Sequence, residues 1–404
     1  MRAFLTIAAP LAVGAALEPV CSQVHTDYAG ASWDRSVRIY EYVSNANPTM
    51  TEVPVRVYPP SMHQRGPSAI MPFDLSSELE VDYPATSPNL LANFVRVLEN
   101  ETLETGVAFA ATSQTFYVIR GRGSSLTRNG TVEWAAGDMF VLPYFGDDVE
   151  PVCTTSAAGA QCVVHTCAAE PEYGGCALYW VHDEPLLQYL GVEPSSRRRF
   201  DPAFYTSVAM KATVQSLSNT DADGEVKNRR GILLGNSATS QTRTLTPTLW
   251  SLLNTIGPKM NQKPHKHNSV ALDLAVYAAE GAPVYTRMSR ELDGEGALVN
   301  PMMAKWETGG VFVTPPGWWH SHHNEGDEDA WVMPVQDAGI YTHQRTLDFR
   351  FADEEVARLQ AGRARGATID LATTRTSENL YRGTPAECGA RRRDSLLGGA
   401  GEAP

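Results

Sequence analysis

Beyond its N-terminus the sequence has no long apolar segment: no run there approaches the roughly 20 residues that a membrane-spanning helix needs. Basic residues are also scarce, with 33 Lys+Arg against 46 Asp+Glu and a formal net charge of -13. A negative field of this size repels phosphate backbones and anionic lipid headgroups. We therefore expect the protein to bind neither nucleic acid nor membranes.

The sequence does contain enough apolar material for two buried cores, since 43% of its 404 residues are hydrophobic and a domain takes roughly 100 to 200 residues. The N-terminus has the pattern of a targeting segment, because Arg2 precedes an Ala-rich apolar run over residues 3–17. We predict a signal peptide at residues 1–23 and a protein that is secreted or lies in the endomembrane lumen. An ordinary N-terminal strand or helix, in a cytoplasmic protein, is the alternative.

Four of the six cysteines lie within one stretch of 24 residues: Cys153, Cys162, Cys167 and Cys176. The outer two and the inner two are centred on the same point of the chain, as residues facing each other across an antiparallel hairpin must be. This symmetry predicts two nested disulfides, Cys153–Cys176 and Cys162–Cys167, around a tip at residues 164–165. A structural zinc site is the competing interpretation, but its ligands are usually paired about two to four residues apart. Free thiols on a loop are a third.

Stable disulfides belong to oxidising compartments, which agrees with the predicted signal peptide. Two Asn-x-Ser/Thr sequons, at Asn100 and Asn129, favour the same compartment. Of the remaining cysteines, Cys21 would leave with the signal peptide and Cys388 would be unpaired.

One segment of the chain occurs twice. The sequence WAAGDMFVLP at residues 134–143 aligns without a gap to WETGGVFVTP at residues 306–315, at a constant offset of 172. Each copy follows a strand-like run that ends at a glycine. Short β-branched and aromatic runs, interrupted by turn residues about every ten positions, are typical of all-β barrels and sandwiches. We therefore predict two similar β-barrels in tandem.

The predicted boundaries follow from the repeat and from changes in composition. A polar connector, with a helical turn near residues 202–217, separates the two barrels. A short surface helix and a glycine-rich disordered tail follow the second barrel. The predicted segments are residues 36–192 for the N-terminal barrel, 193–230 for the connector, 231–351 for the C-terminal barrel, and 352–404 for the helix and tail.

Six of the ten histidines lie between residues 265 and 343. His265 and His267 begin a strand-like run, and alternation places both imidazoles on one face, which in a small barrel is the cavity. His320 offers a third ligand from another strand, within the pattern Gly309-x5-Pro315-x-Gly317-x2-His320-x3-Asn324. Three histidines at this spacing predict a metal site, with surface or core histidines as the alternative.

The pattern around His320 resembles the second conserved motif of the cupin superfamily, and His265-x-His267 resembles the centre of the first. The two-barrel layout and the segment PPGWWHSHHN at residues 315–324 are similar to gentisate 1,2-dioxygenase-like bicupins. The resemblance implies an all-β fold of two tandem jelly-roll barrels with short flanking helices. It also implies Fe(II) held by three histidines, which binds a hydroxylated aromatic acid together with O2 for ring cleavage.

Two departures from the cupin pattern bear on the metal. Ala271 and Leu272 occupy the positions where the first motif usually carries a Glu ligand, which would leave coordination sites open for substrate and O2. In the first barrel, the positions aligned with the ligands fall near residues 105–109 and at Asp148. We therefore expect the first barrel to lack a metal and to be structural, with His182 in its core or at its rim, and the protein to be a homo-oligomer.

A further departure concerns substrate recognition. Family members that bind aromatic carboxylates usually carry an Arg six residues after the second metal histidine, where this chain has Asp273. An anion there would repel a carboxylate. Asp273 could instead orient a metal-bound histidine or act as a general base, and a solvated Asp at a strand end is the alternative.

Other residues of the second motif are candidates for the pocket. His322 follows His320 on the same strand face, which makes it a candidate acid or base, whereas His323 should point outward. Trp318 and Trp319 are expected to wall the pocket, although tryptophans beside a turn are as often packing residues. Asn324 closes the motif and is assigned to the same pocket.

Three functions follow, in this order of preference. The first is a mononuclear Fe(II) dioxygenase that cleaves a hydroxylated aromatic ring. The second is a redox-neutral lyase, isomerase or decarboxylase with Zn, Mn or Ni, because imidazole suits all these metals. The third is a non-enzymatic secreted binding or storage protein, since the barrel hosts unrelated functions.

Overall fold

The computed structural model describes residues 38–364, apart from 106–109, 146–151, 154–161, 170–173, 196, 221–223 and 225. The predicted signal peptide, most of the predicted tail and Asp148 lie outside the described residues. Short β-strands dominate the described part. Those of the first half are β1 (Val57–Tyr58), β2 (Ala69–Pro72), β3 (Leu91–Val97), β4 (Thr102–Thr105), β5 (Ser113–Arg120), β6 (Arg122–Thr127), β7 (Gly130–Ala135), β8 (Met139–Pro143), β9 (Val163–Cys167), β10 (Cys176–His182) and β11 (Ala203–Tyr205).

The second half repeats this series. Its strands are β12 (Arg230–Leu234), β13 (Trp250–Ile256), β14 (Met260–Asn261), β15 (His265–His267), β16 (Ala271–Tyr277), β17 (Val284–Ser289), β18 (Met302–Lys305), β19 (Val311–Thr314), β20 (Trp319–Asn324), β21 (Ala330–Gln336) and β22 (Phe349–Phe351).

The helices are short. They are α1 (Tyr42–Asn45), α2 (Ser61–Gln64), α3 (Ser76–Leu79), α4 (Glu184–Leu190), α5 (Ser207–Ser216), α6 (Ala338–Gln344) and α7 (Ala352–Ala364). The helical turn predicted in the connector corresponds to α5, which begins where the Thr206 hydroxyl accepts a hydrogen bond from the backbone of Ala209. Across the described residues, no helix combines the length and apolar composition that crossing a membrane requires.

Each half folds into two antiparallel sheets, which confirms the predicted all-β fold of two tandem barrels. In the first half, the six-stranded sheet β11-β8-β5-β10-β3-β2 faces the four-stranded sheet β4-β9-β6-β7. In the second half, the six-stranded sheet β1-β19-β16-β21-β13-β12 faces a sheet of order β18-β17-β20-β15-β22, in which β14 also pairs with β20.

The largest hydrophobic core joins the two six-stranded sheets. It combines side chains such as Phe94 and Val141 of the first half with Leu274 and Met333 of the second. Because β10 and β21 lie in the middle of these sheets, both are buried along their whole length. This explains why both read as almost continuous apolar runs.

Each six-stranded sheet is also extended by an edge strand that lies in the chain just before the barrel of the other half. In the sheet of the second half, β1 pairs with β19, with Val57 opposite Phe312. In the sheet of the first half, β11 pairs with β8, with Ala203 opposite Val141. Thus β1, from the segment predicted to belong to the first barrel, extends the second, and β11, from the predicted connector, extends the first.

The cysteines form two disulfides, but the predicted nested pairing is wrong. The bonds join Cys153 to Cys162 and Cys167 to Cys176, with Cα–Cα distances of 6.0 and 5.7 Å. His165, predicted at a hairpin tip, lies in the middle of β9. Since β9 (Val163–Cys167) is extended, Cys162 and Cys167 lie about 17 Å apart, too far to form a disulfide.

Candidate metal centre

The three predicted metal ligands converge on one side of the second barrel. His265 on β15 lies directly opposite His320 on β20, and His267 follows on the same face of β15. Their ring centroids are 4.2 Å apart for His265 and His320, 4.9 Å for His267 and His320, and 6.3 Å for His265 and His267. All three side chains are buried.

Backbone carbonyl groups orient each of the three rings through Nδ1. The pairs are His265 with Lys263 at 3.4 Å, His267 with Ser269 at 2.8 Å, and His320 with Trp318 at 3.0 Å. A carbonyl oxygen can only accept, so each Nδ1 carries the proton and each Nε2 keeps its lone pair. The three rings therefore offer three Nε2 donor atoms.

The three rings are in the protonation state that metal binding requires. Burial lowers the pKa of His267 to about 4 and lowers those of His265 and His320 well below the usual value, so the rings are neutral at neutral pH, as metal ligands must be. Three imidazoles suit Fe, Ni or Zn. Ala271 and Leu272 are buried and apolar, so neither offers a carboxylate ligand.

A second layer of polar contacts supports His267. The Ser269 hydroxyl lies 3.1 Å from Nδ1 of His267 and donates a hydrogen bond to Oε1 of Gln336 at 2.8 Å. Contacts of this kind fix ring orientation and are worth roughly 10–100-fold in metal affinity in other sites.

One cavity contains the three ligands together with apolar and polar groups. Its apolar wall consists of Trp250, Leu252, Pro334 and Phe349, and its polar groups are Arg229, Asn254, Asp273, His322 and Gln336. The Oδ1 atom of Asn254 is buried and has no hydrogen-bond partner among the described residues. An apolar slot with a few convergent polar groups is typical of a small-molecule site.

Arg229 introduces a positive charge into this cavity. The residue precedes β12, and no carboxylate lies within ion-pair distance of its guanidinium in the described part of the chain. Burial lowers the pKa of Arg229, and its charge adds to the burial effect that lowers the pKa values of His265 and His322. The predicted connector therefore supplies a cation that sequence analysis missed.

Asp273 lies on β16, at the wall of the cavity. Burial raises the pKa of its carboxyl group to about 7, although the hydroxyl of Thr314 donates a hydrogen bond to Oδ2 at 2.7 Å and opposes the shift. Near neutral pH the group therefore occurs in both protonation states. It can donate or accept a proton in the cavity.

His322 lies beside the ligands, with its ring centroid 5.8 Å from that of His320. Burial lowers its pKa to about 3, and its Nδ1 is 2.7 Å from the hydroxyl of Thr286. His323, predicted to face outward, stacks on Tyr285 and is half-buried.

Phe349 of β22 covers the ligands. Its ring lies 5.3 Å from that of His265 and 5.9 Å from that of His267, and both pairs are stacked. The edge strand that carries it pairs with β15, with Phe349 opposite His267. A half-exposed phenyl ring thus separates the ligands from solvent.

The structure does not bring the other predicted pocket residues into this cavity. Lys266 lies over the buried ring of Trp319, and Arg290 lies over Trp318, at 4.6 and 5.1 Å from the ring centroids. The side chain of Asn324 is fully buried and donates hydrogen bonds to backbone carbonyls, including those of Ile256 and Glu328. Asn324 therefore stabilises the turn that follows β20.

The first barrel has different residues at the corresponding positions. Strands β4 and β9 of the first barrel pair as β15 and β20 do in the second, with Thr105 opposite Val163 where the second barrel has His265 opposite His320. Val163, not Asp148, is therefore the counterpart of His320. Stacked rings of Phe116, Phe140 and Trp180 occupy its interior. His182 is buried against Trp180, consistent with the expected core position.

Arg229, Phe349 and Asn254 were missed for different reasons. Arg229 lies in a polar, Arg-containing segment that is typical of a surface connector. Phe349 follows the histidine motifs by 25 residues or more, and its strand has only three residues. Asn254 lies in the run WSLLNTI, and β13 has no neighbouring motif. The one available signal was an Asn within an otherwise core-like strand.

No family model and no curated protein matches the chain. Solved structures of salicylate 1,2-dioxygenase from Pseudoaminobacter salicylatoxidans are similar to it. One, with gentisate, has a TM-score of 0.55 and 14% identity, over 76% of this chain and 87% of that chain. Another has a TM-score of 0.54 and 14% identity, over 76% and 90%. At this identity the likeness concerns the fold: the chain has the two-barrel architecture of the bicupins.

Proposed function

We propose that the protein is a mononuclear non-haem Fe(II) dioxygenase that cleaves the ring of a hydroxylated aromatic acid. The observation that carries the proposal is the juxtaposition of three free Nε2 atoms with a guanidinium that lacks an ion-pair partner among the described residues. Salicylate and gentisate, named with the similar structures, are hydroxylated aromatic acids. Their carboxylate matches the charge of Arg229.

His265, His267 and His320 would hold the iron through Nε2. When bound, iron would supply the redox chemistry that activates O2 toward the substrate. Ala271 and Leu272 offer no carboxylate ligand, so the chain's own residues would leave space for a substrate beside the three histidines.

Arg229 would bind the carboxylate and orient the ring between the apolar walls. Asp273, which the sequence alone suggested would repel this carboxylate, is compatible with it when protonated, and its pKa of about 7 makes that form abundant. The basic form of Asp273 can take the proton of a substrate hydroxyl, and the neutral ring of His322 can donate a hydrogen bond beside the ligands. Phe349 restricts the access of water.

Metal content and O2 consumption test the proposal. The protein is purified without added metal, and metals are counted by mass spectrometry beside the variants His265→Ala and His320→Ala. His323→Ala is the matched control, because its ring lies on β20 but stacks on Tyr285 outside the cavity. We expect about one iron per chain that both ligand variants lose and the control keeps.

The iron-containing protein is then screened with an oxygen electrode against salicylate, gentisate and related phenolic acids. Substrate-dependent O2 uptake with ring opening supports the dioxygenase. Stoichiometric Mn, Ni or Zn without O2 uptake would favour redox-neutral chemistry, in which Asp273 provides the acid or base. A protein that binds no metal would be the non-enzymatic binding or storage protein.

A further inference from the structure

The same chain of three hydrogen-bonded side chains occurs in both barrels: a tryptophan, a serine or threonine, and a histidine. In the second barrel the indole Nε1 of Trp306 donates to the hydroxyl of Thr286 at 2.8 Å, and that hydroxyl lies 2.7 Å from Nδ1 of His322. In the first barrel Trp134 donates to Ser125 at 2.8 Å, and Ser125 lies 2.7 Å from Nδ1 of His165.

The two chains occupy equivalent places in the fold. Trp134 and Trp306 begin the two copies of the sequence repeat. In the sheets, Ser125 lies opposite His165 as Thr286 lies opposite His322. The histidine of each chain is fully or almost fully buried. The same hydrogen-bond arrangement therefore occurs twice, in different surroundings.

The contacts in the first barrel determine which group of the chain donates each hydrogen bond and which accepts it. Thr105 donates its hydroxyl proton to the carbonyl of Val163 at 3.3 Å and lies 2.9 Å from Nε2 of His165. With its proton used, Thr105 must accept from His165, so Nε2 carries the imidazole proton. Nδ1 of His165 then accepts from Ser125, and every group in the chain is satisfied.

The opposite tautomer of His165 would leave hydrogen-bonding groups without partners. If Nδ1 carried the proton, the hydroxyl of Ser125 would accept from both Trp134 and His165, and its own proton would have no acceptor among the described residues. The donation from Thr105 to Val163 would also be lost. Buried polar groups in native proteins are rarely left in this state.

The same assignment of donors and acceptors applies to the second barrel. Thr286 accepts from Trp306, and its proton has one acceptor among the described residues, Nδ1 of His322. His322 then carries its proton on Nε2, the edge left for the cavity. The metal ligands have the opposite tautomer, because backbone carbonyls accept from their Nδ1 atoms.

We propose that Thr286, held in place by Trp306, is a positioning residue that fixes His322 as the Nε2–H tautomer. His322 then donates a hydrogen bond into the cavity and does not bind the metal as a fourth ligand. In the first barrel Thr105 accepts this bond, and in the second the acceptor is an oxygen of the bound ligand. Only the nature of that ligand rests on the proposed function.

The tautomer can be measured directly by long-range 1H–15N NMR of the zinc-loaded protein labelled at histidine, with the His322→Asn variant for assignment. We expect the Nε2–H pattern for His322 and for His165, which serves as the internal reference. Thr286→Ser keeps the hydroxyl and should preserve the pattern, whereas Thr286→Val should change the pattern of His322 and leave that of His165 intact. An Nδ1–H pattern for His322 in the unmodified protein would overturn the proposal, even if Thr286→Val failed to fold.

Ligand affinity provides the second measurement, with salicylate as the probe of the zinc-loaded protein. Loss of one hydrogen bond should weaken binding about 10-fold in Thr286→Val and by less than about twofold in Thr286→Ser. Equal affinities in both variants would contradict the role of the bond. If salicylate binds to no variant, the proposed substrate class fails, while the NMR pattern still decides the tautomer.

Discussion

At the scale of single residues, the cavity combines two groups of opposite charge that do not form an ion pair. Arg229 is a permanent cation, and Asp273 titrates near neutral pH because it is buried. A ligand that carries one carboxylate therefore meets a positive charge at all pH values and a negative charge only above about pH 7. Each group gives a separate prediction.

Replacing Arg229 should weaken the binding of aromatic carboxylates selectively. We expect Arg229→Met to reduce salicylate affinity about 10–100-fold, since a charge-assisted hydrogen bond contributes about 1.5–3 kcal/mol. Salicylamide, which has no carboxylate, should lose much less. Arg230→Met is the matched control, because Arg230 pairs with Asp329 at 3.4 Å. Calorimetric titrations measure both ligands, and an equal loss for both would contradict the role of Arg229.

Asp273 should make ligand binding depend on pH. As pH rises through about 7, the carboxyl group loses its proton and repels an anionic ligand, so salicylate affinity should fall between pH 6 and 8.5. In Asp273→Asn this dependence should flatten. Thr314→Val removes the hydrogen bond that favours the charged form and should move the fall to higher pH. A wild-type profile that Asp273→Asn does not alter would assign the titration to another group.

At the scale of elements, the edge strand β22 covers the candidate metal centre with a single ring, that of Phe349. Phe349→Ala should open the cavity to water and accelerate metal loss about tenfold, because the apolar surroundings of a site control solvent access. Leu347→Ala, just before β22 and similarly exposed, is the control. The rate is measured by competition with a chromogenic chelator. Equal rates in both variants would assign the cover to another element.

The sequence predicted the elements that repeat local patterns better than the contacts between distant elements. Alternation and motif spacing brought His265, His267 and His320 together correctly. The offset of 172 between the two sequence repeats holds to the end of β8 but placed Asp148 at the position of His320. The true counterpart, Val163, has an offset of 320 − 163 = 157, because the segment between β8 and β9 is 15 residues longer than the one between β19 and β20. The nested disulfides were wrong for a related reason: equal spacing indicates pairing across a hairpin only when the residues at its centre turn.

Arg229 marks the other limit of sequence analysis. The side chain reaches the cavity because the adjoining strand β12 pairs with β13 at the edge of the second barrel, with Arg230 opposite Thr255, and spacing along the sequence does not reveal this register. Composition alone placed the segment in a polar connector. Asp273 was correctly expected at the cavity, but its protonation depends on burial that spacing does not reveal.

At the scale of the whole molecule, buried neutral histidines outside the metal centre should make the protein sensitive to acid. Burial lowers the pKa of His63 to about 4 and those of His165 and His182 to about 3. Because the unfolded chain takes up these protons from about pH 6.5 downward, the stability they contribute is present above that pH and is lost as pH falls toward 3. Each should reduce the free energy of unfolding by about 1.4 kcal/mol per pH unit in that window.

Urea unfolding of the chelated protein from pH 7 to 4.5 measures this slope. His165→Asn should reduce the slope by about one proton, whatever its effect on stability at pH 7. An unchanged slope would show that His165 is already protonated in the native state or remains neutral in the unfolded chain.

The exchange of β1 and β11 between the barrels has a consequence for how the protein can be made and how it can evolve. During synthesis, β1 has no strand to join until residue 312 has emerged, so the N-terminal half must wait with an unpaired strand for most of translation. The half without the candidate metal ligands also cannot be discarded, because its strand β1 completes a sheet of the half that has them. The side chains inside the first barrel can therefore differ from those of the second, as Val163 does from His320, while the backbone pairing of β1 has to be kept.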